Sequence, residues 1–201
     1  MIKTVIFDIG NVLVRFAWKP YITELFDEET ADHITEALWH DGYWNEFDRG
    51  ILTDEQIREK MVAYAPKYEK EIHYALDHAG KCLHKFDYAI PWIQELKEKG
   101  YQVLFLSNYS EFLMKANPEV LDFLPCMDGG VFSCDVKLIK PDSAIYAKIC
   151  EKYNLNPDEC MFIDDYAANI EAANAFGIHG FLFEGYENSY PIIMEYLNNN
   201  K

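Results

Sequence analysis

The chain alternates between short, continuous apolar runs and longer stretches with helical spacing. Thr4-Val5-Ile6-Phe7 is apolar without interruption and stops at Asp8. A run of this kind suits a strand covered on both faces, as in a parallel sheet. Similar runs recur at Val103-Leu104-Phe105-Leu106, Gly130-Val131-Phe132, Cys160-Met161-Phe162-Ile163 and Gly180-Phe181-Leu182-Phe183. Between them lie helical patterns. Pro91 suits a first turn, with Trp92, Ile93 and Leu96 on one face and Gly100 as a stop. Pro141 opens a segment carrying Ile145 and Ile149, Asn169 to Phe176 is stopped by Gly177, and Pro191 precedes a last helix from Ile192 to Leu197. Asn198 to Asn200 reads as a frayed tail. Strand–helix alternation of this kind predicts an α/β fold, a Rossmann-like doubly wound parallel sheet with right-handed crossovers.

The first crossover is too long. One helix, Pro91 to Lys99, suffices to join the first two strands, so the residues from about Phe16 to Tyr88 are surplus. That surplus reads as three helices: Pro20 to about Trp39, Thr53 to about Ala65, and Lys67 to about Lys85. Thr53-Asp54-Glu55-Gln56 fits a capping box, in which hydroxyl and side-chain amide satisfy free helix N–H groups reciprocally. The expected organisation is an α/β core of residues 1–15 and 88–201, with a helical cap, residues 16–87, inserted after the first strand.

Composition narrows the partners. With 50% apolar residues in 201, the chain can build a substantial core. With 34 acids against 18 bases the net charge is −16, so no basic footprint for nucleic acid or anionic membrane is expected. No apolar run approaches the ~18 residues of a membrane span. The first residues lack the apolar stretch of a secretion signal. Five cysteines without a C-x-x-C pair read as reduced thiols in a cytoplasmic protein.

In an open α/β sheet the binding crevice forms at the carboxyl ends of the strands. The polar residues at those ends are Asp8, Ser107-Asn108, Lys140 and Asp164-Asp165. Three carboxylates can hold a hard divalent cation such as Mg²⁺, which shares its shell with phosphate and water. A lysine, a hydroxyl and helix-start N–H groups complete a phosphate cradle. Each residue also has a plainer reading: Asp164, Asp165 and Ser107 as helix caps, Lys140 as a solvated side chain with Lys137 competing for its role, and Trp44 and Arg49 as packing or surface residues of the cap.

The stretches Phe7-Asp8-Ile9-Gly10-Asn11-Val12-Leu13, Leu106-Ser107-Asn108, Lys140-Pro141 with Ile145-Tyr146, and Phe162-Ile163-Asp164-Asp165 with Asn169 resemble the haloacid-dehalogenase superfamily of phosphohydrolases, in its branch with a helical cap. Asp48-Arg49-Gly50 adds to the match. The likeness is greatest to sugar-phosphate phosphatases, the glucose-1-phosphate phosphatases among them, and to the phosphatase domain of soluble epoxide hydrolases. It implies that Asp8 is a nucleophile forming an aspartyl-phosphate, helped by Lys140. It further implies Mg²⁺ on Asp8, the Gly10 carbonyl, Asp165 and Asp164, and phosphate held by Ser107 and Asn108. A carboxylate nucleophile is ionised at neutral pH and needs no activating base. Trp44 and Arg49 are the candidate substrate contacts of the cap.

The chain departs from the family at Gly10, where an Asp commonly acts as general acid and base, a contribution of about 10²–10⁴-fold. A sugar 1-phosphate would ease that loss, because an anomeric oxygen leaves more readily. The expected function is therefore Mg²⁺-dependent hydrolysis of a small phosphorylated metabolite by a monomer or homodimer. The alternatives are 2-haloacid dehalogenation by Asp8 and a non-catalytic phosphate-binding regulator.

Overall fold

The computed structural model describes residues 1–200 and contains seven strands: β1 (Thr4–Phe7), β2 (Val14–Phe16), β3 (Leu83–Lys85), β4 (Gln102–Ser107), β5 (Gly129–Phe132), β6 (Cys160–Asp164) and β7 (His179–Leu182). Five of them form one parallel sheet in the order β5-β4-β1-β6-β7. All four residues of β1 and all five of β6 are buried, which is why they read as unbroken apolar runs. Within β1 the side chains still alternate. Val5 and Phe7 pack with Trp92, Ile93 and Leu96 on one side of the sheet. Ile6 packs with Ile145, Tyr146 and Ile149 on the other. Helices therefore cover both faces, the doubly wound α/β arrangement that the periodicity predicts.

The strand order reverses at β1. From there the chain runs outward through β4 and β5, then returns to β6 and β7 on the opposite side. The carboxyl end of β1 is thus the switch point, where loops diverge and leave a crevice.

The segment between β2 and β3 is helical, with differences from the expected pattern. The stretch expected as one helix from Pro20 to Trp39 is two, Trp18–Leu25 and Glu28–Trp39. Asp27 separates them, because its carboxylate accepts the Thr30 N–H at 3.0 Å and starts a new helix there. A turn follows, with Asp41 at φ 47° and Gly42 at φ 69°, and sets off a short helix, Tyr43–Asp48, that the hydrophobic pattern does not announce. Helix Asp54–Tyr64 carries the predicted capping box, Thr53 with Gln56. The helix expected from Lys67 to Lys85 is shorter, Glu69–Asp77, and its last residues form β3 instead. β3 pairs antiparallel with β2 and brings the two ends of the insertion together.

At the carboxyl end, the last helix begins before Pro191 and spans Tyr186–Asn199. Its end is not frayed. Asn200 O accepts the Ile2 N–H at 3.0 Å, and Leu197 O accepts the Tyr101 hydroxyl at 3.0 Å. Among the described residues no helix is long and apolar enough to cross a membrane, and all five cysteines are free.

Candidate active site

The switch point gathers the polar residues named from sequence. Asp8 follows β1 directly; its N–H donates to Ile163 O on β6 at 2.8 Å, and its Oδ1 accepts the Ile9 N–H at 2.7 Å. Asp164 closes β6 and is wholly buried. Its Oδ1 accepts the Tyr166 N–H at 2.8 Å, and the Asn169 amide donates to both of its oxygens at 3.0 Å. Asp165 is the most open of the three acids and accepts from the Asn11 amide at 3.1 Å. Asn11 can do this because it takes a left-handed backbone (φ 54°), and its own Oδ1 accepts the Phe16 N–H.

Lys140 stands between two of the acids. Its Nζ lies 2.8 Å from Asp8 Oδ1 and 2.7 Å from Asp164 Oδ2, with the side chain fully enclosed. The competing Lys137 turns away and donates to Gly50 O at 2.7 Å. The side chain of Asn108 grips the Lys140 backbone on both sides: its amide donates to Lys140 O at 3.0 Å, and its Oδ1 accepts the Lys140 N–H at 2.8 Å. Asn108 thus positions the lysine, a duty its place in the sequence does not reveal. Ser107 lies beside the Asp8 carboxylate, and its buried hydroxyl has no partner other than that carboxylate.

Burial dominates the electrostatics. It pushes the Asp8 carboxyl up to about 7, reinforced by the nearby Asp164 charge and opposed by Lys140. Burial also raises Asp165, with Asp164 adding to it. For Lys140 burial disfavours the ammonium, but Asp8 and Asp164 outweigh it and raise its pKa, so the lysine stays charged. Carboxylate oxygens of Asp8, Asp164 and Asp165 all lie within 4.8 Å of one another. Three acids facing one ammonium, with only oxygen donors, suit a hard divalent cation that would relieve their mutual repulsion.

Above this floor opens a cavity of about 510 Å³ that Asp8, Gly10, Lys140 and Asp165 share with Phe16, Trp39, Trp44 and Tyr109. A Cβ at Gly10 would meet nothing within 4 Å, so the missing side chain leaves open space. Trp44 lines the cavity, as expected. Arg49 does not; its Nε faces Glu46 at 3.4 Å. Its neighbour Asp48, which the sequence reading passes over, lines the cavity instead. Asp48 is 7% exposed, and its Oδ1 has no partner. Burial and the charge of Asp8 push its carboxyl up to about 8, against Lys140, the Ser110 amide and Trp44.

The helix end bearing Asp48 is fastened to the core. The Tyr109 N–H donates to Ser133 Oγ at 2.9 Å, and the Ser133 hydroxyl donates to Asp48 O at 2.6 Å. Gly50 allows this approach: a Cβ there would lie 2.9 Å from Cys134 O, and its φ of 72° also favours glycine. The signal in the sequence is the run Asp48-Arg49-Gly50, and the residue of that run that lines the cavity is the one before the arginine.

Comparison with known proteins agrees with this architecture. A (S)-2-haloacid dehalogenase of Burkholderia cepacia is 29% identical over 128 residues, 64% of this chain; that match spans 55% of the dehalogenase's own length. A sesquiterpene phosphatase of Aspergillus oryzae is 24% identical over 178 residues, covering 89% of this chain and 88% of the relative. A HAD-family enzyme of Bacteroides thetaiotaomicron, solved in complex with magnesium and inorganic phosphate, superposes with a TM-score of 0.69 at 25% identity, covering 90% of this chain and 94% of the other. The family model for haloacid dehalogenase-like hydrolases matches residues 2–177. Its span takes in every strand-end acid, Lys140 and the inserted helices, and the chain therefore belongs to the haloacid dehalogenase-like hydrolases.

Proposed function

We propose that this hydrolase is a Mg²⁺-dependent phosphatase acting on a small phosphorylated metabolite, a sugar phosphate such as a sugar 1-phosphate, through an aspartyl-phosphate on Asp8. The observation that carries the reading is the buried Asp8–Lys140–Asp164 bridge beside Asp165. A cation-holding triad next to a fixed ammonium is built to receive a dianion, although the protein as a whole carries a net charge of −16. Asp8, the Gly10 carbonyl, Asp164 and Asp165 would hold Mg²⁺, which when bound offsets phosphate charge and favours the ionised form of Asp8.

The chain's own groups do the rest. Asp8 is held by the Ile9 N–H for attack on phosphorus. Lys140, fixed by Asn108, keeps its charge at the point where charge develops. The Ser107 hydroxyl, beside Asp8, and the Asn108 N–H bind phosphoryl oxygens. Trp44 and Phe16, whose ring centroids are 5.8 Å apart, offer an aromatic wall to the C–H face of a sugar. On this reading residues 16–87 act as a cap over a core of 1–15 and 88–201 and keep water out during transfer. The free, mostly buried thiols support a reducing, cytoplasmic setting.

The similarity to a haloacid dehalogenase raises a second reading, attack by Asp8 on carbon. Attack on carbon makes no use of the clustered acids at Asp164 and Asp165. A turnover screen of sugar phosphates and 2-haloacids, with Mg²⁺ and with a chelator, separates the two. We expect phosphate release that needs Mg²⁺ and stops with chelator. Halide release that survives chelation overturns the proposal, as does stoichiometric phosphate binding with no turnover.

A further inference from the structure

A phosphate ester with an alcohol leaving group needs a proton as its P–O bond breaks, and water attacking an aspartyl-phosphate needs a base. Gly10 supplies neither. The groups lining the cavity that can carry a proton are Asp8, Asp48, Tyr109, Lys140, Asp165 and Tyr166. Asp8 is the nucleophile. Lys140 is engaged by two carboxylates. Asp165 belongs to the cation site. Tyr109 is a poor acid, because burial raises its hydroxyl pKa further. Tyr166 is 61% exposed. Asp48 remains: buried, with an oxygen that has no partner, on the inserted-helix side of the same cavity, its backbone tied to Ser133.

We propose that Asp48 is the general acid and base of the reaction, carried into the site by the inserted helices in place of the side chain Gly10 lacks. The inference rests on the phosphatase reading above. In the first step an Asp8 oxygen bonds to phosphorus, the ester P–O bond breaks, and the leaving oxygen takes the proton of the Asp48 carboxyl to depart as an alcohol. In the second, water attacks the phosphorus while the Asp48 carboxylate takes one of its protons. The bond from phosphorus to Asp8 breaks, inorganic phosphate leaves, and Asp48 is again protonated. The sum is ester plus water to alcohol plus phosphate.

Burial is the leading reason Asp48 favours its protonated form, and a cation at the neighbouring triad leaves that burial in place. The groups acting on it are the charges of Asp8 and Lys140, the Ser110 amide and Trp44, with Tyr109 close by.

The test is Asp48→Asn, close in shape, beside Asp48→Glu, which restores an acid. Both are assayed with Mg²⁺ on para-nitrophenyl, phenyl and ethyl phosphate, with rapid quench to measure phosphoenzyme. We expect Asp48→Asn to lose about 10²–10⁴-fold on ethyl phosphate and far less in the nitrophenolate burst. Phosphoenzyme should then accumulate, because its hydrolysis lacks a base. Asp48→Glu should recover part of the ethyl phosphate rate. An equal loss in the rate of phosphoenzyme formation on all three esters, or no loss in either step, overturns the role of Asp48 while leaving the phosphatase reading intact. A parent protein that turns over none of the three with Mg²⁺ overturns both.

Discussion

Replacing Lys140 with Met removes one charge and keeps most of the side-chain volume. The ammonium contacts Asp8 at 2.8 Å and Asp164 at 2.7 Å, and its side chain is 1% exposed against 11% and 0% for the two acids. Removing one member of a buried ion pair leaves its partners uncompensated in a poorly solvated place, at a cost of about 3–5 kcal/mol. The outward contrast is Lys115 with Glu111, equally short at 2.7 Å but 73% exposed on both sides; water screens such pairs, and they contribute little. Urea unfolding of Lys140→Met and Lys115→Met at neutral pH, without divalent cations, should separate the two sites by several-fold. The Lys140 penalty should shrink as pH falls, since Asp8, already shifted up by burial, takes a proton and no longer needs the ammonium. Added Mg²⁺ should restore part of the loss. A penalty that stays below about 1 kcal/mol even well above neutral pH, where Asp8 is ionised, would refute the reasoning, because removing the ammonium would then leave no uncompensated charge.

Asn169→Ala removes two hydrogen bonds to a charged carboxylate; we expect a stability loss of about 1.5–3 kcal/mol and slower turnover, and unchanged turnover would count against Asn169 as the residue that positions Asp164. Thr53→Ala breaks the capping box and should cost about 1 kcal/mol in thermal unfolding while leaving kcat alone. For Asp48 the folded-state carboxyl is raised to about 8, so the group binds its proton more tightly folded than unfolded. Its contribution is intact at low pH and is lost as pH climbs from about 4 toward 8. Asp48→Asn should therefore gain stability on the parent across that window, by more than ~1.4 kcal/mol, the value of one tenfold change in proton affinity. A difference that stays flat with pH would show that the carboxyl is not shifted in the folded protein.

The sheet is legible because β1, β4 and β6 are covered on both faces, so their central runs are apolar, and the polar residues that end them, Asp8, Ser107 and Asp164, stand out against that background. The capping box at Thr53 was legible for a similar reason, since its chemistry lies within four residues. What was missed depends on residues far apart in the chain. β2 and β3 are three residues each, too short to show a period, and they find each other across the whole insertion. Asn108 grips Lys140 from 32 positions away. Asp48 is one of 34 acids, and its meaning comes from Ser133, 85 positions later. Arg49 has the charge that suits an anionic ligand, yet Glu46, three residues before it, already occupies it. Asp27 was hidden because helical spacing continues on both sides of the break it causes.

Peptide mapping by mass spectrometry after rapid quench from a turning-over phosphate ester tests the central claim most directly. The account predicts one added phosphoryl group on the peptide that contains Asp8, labile in base, and absent when Asp8→Asn is treated in the same way. A phosphoryl group on any other residue, or an Asp8→Asn protein that releases phosphate as fast as the parent, would contradict it.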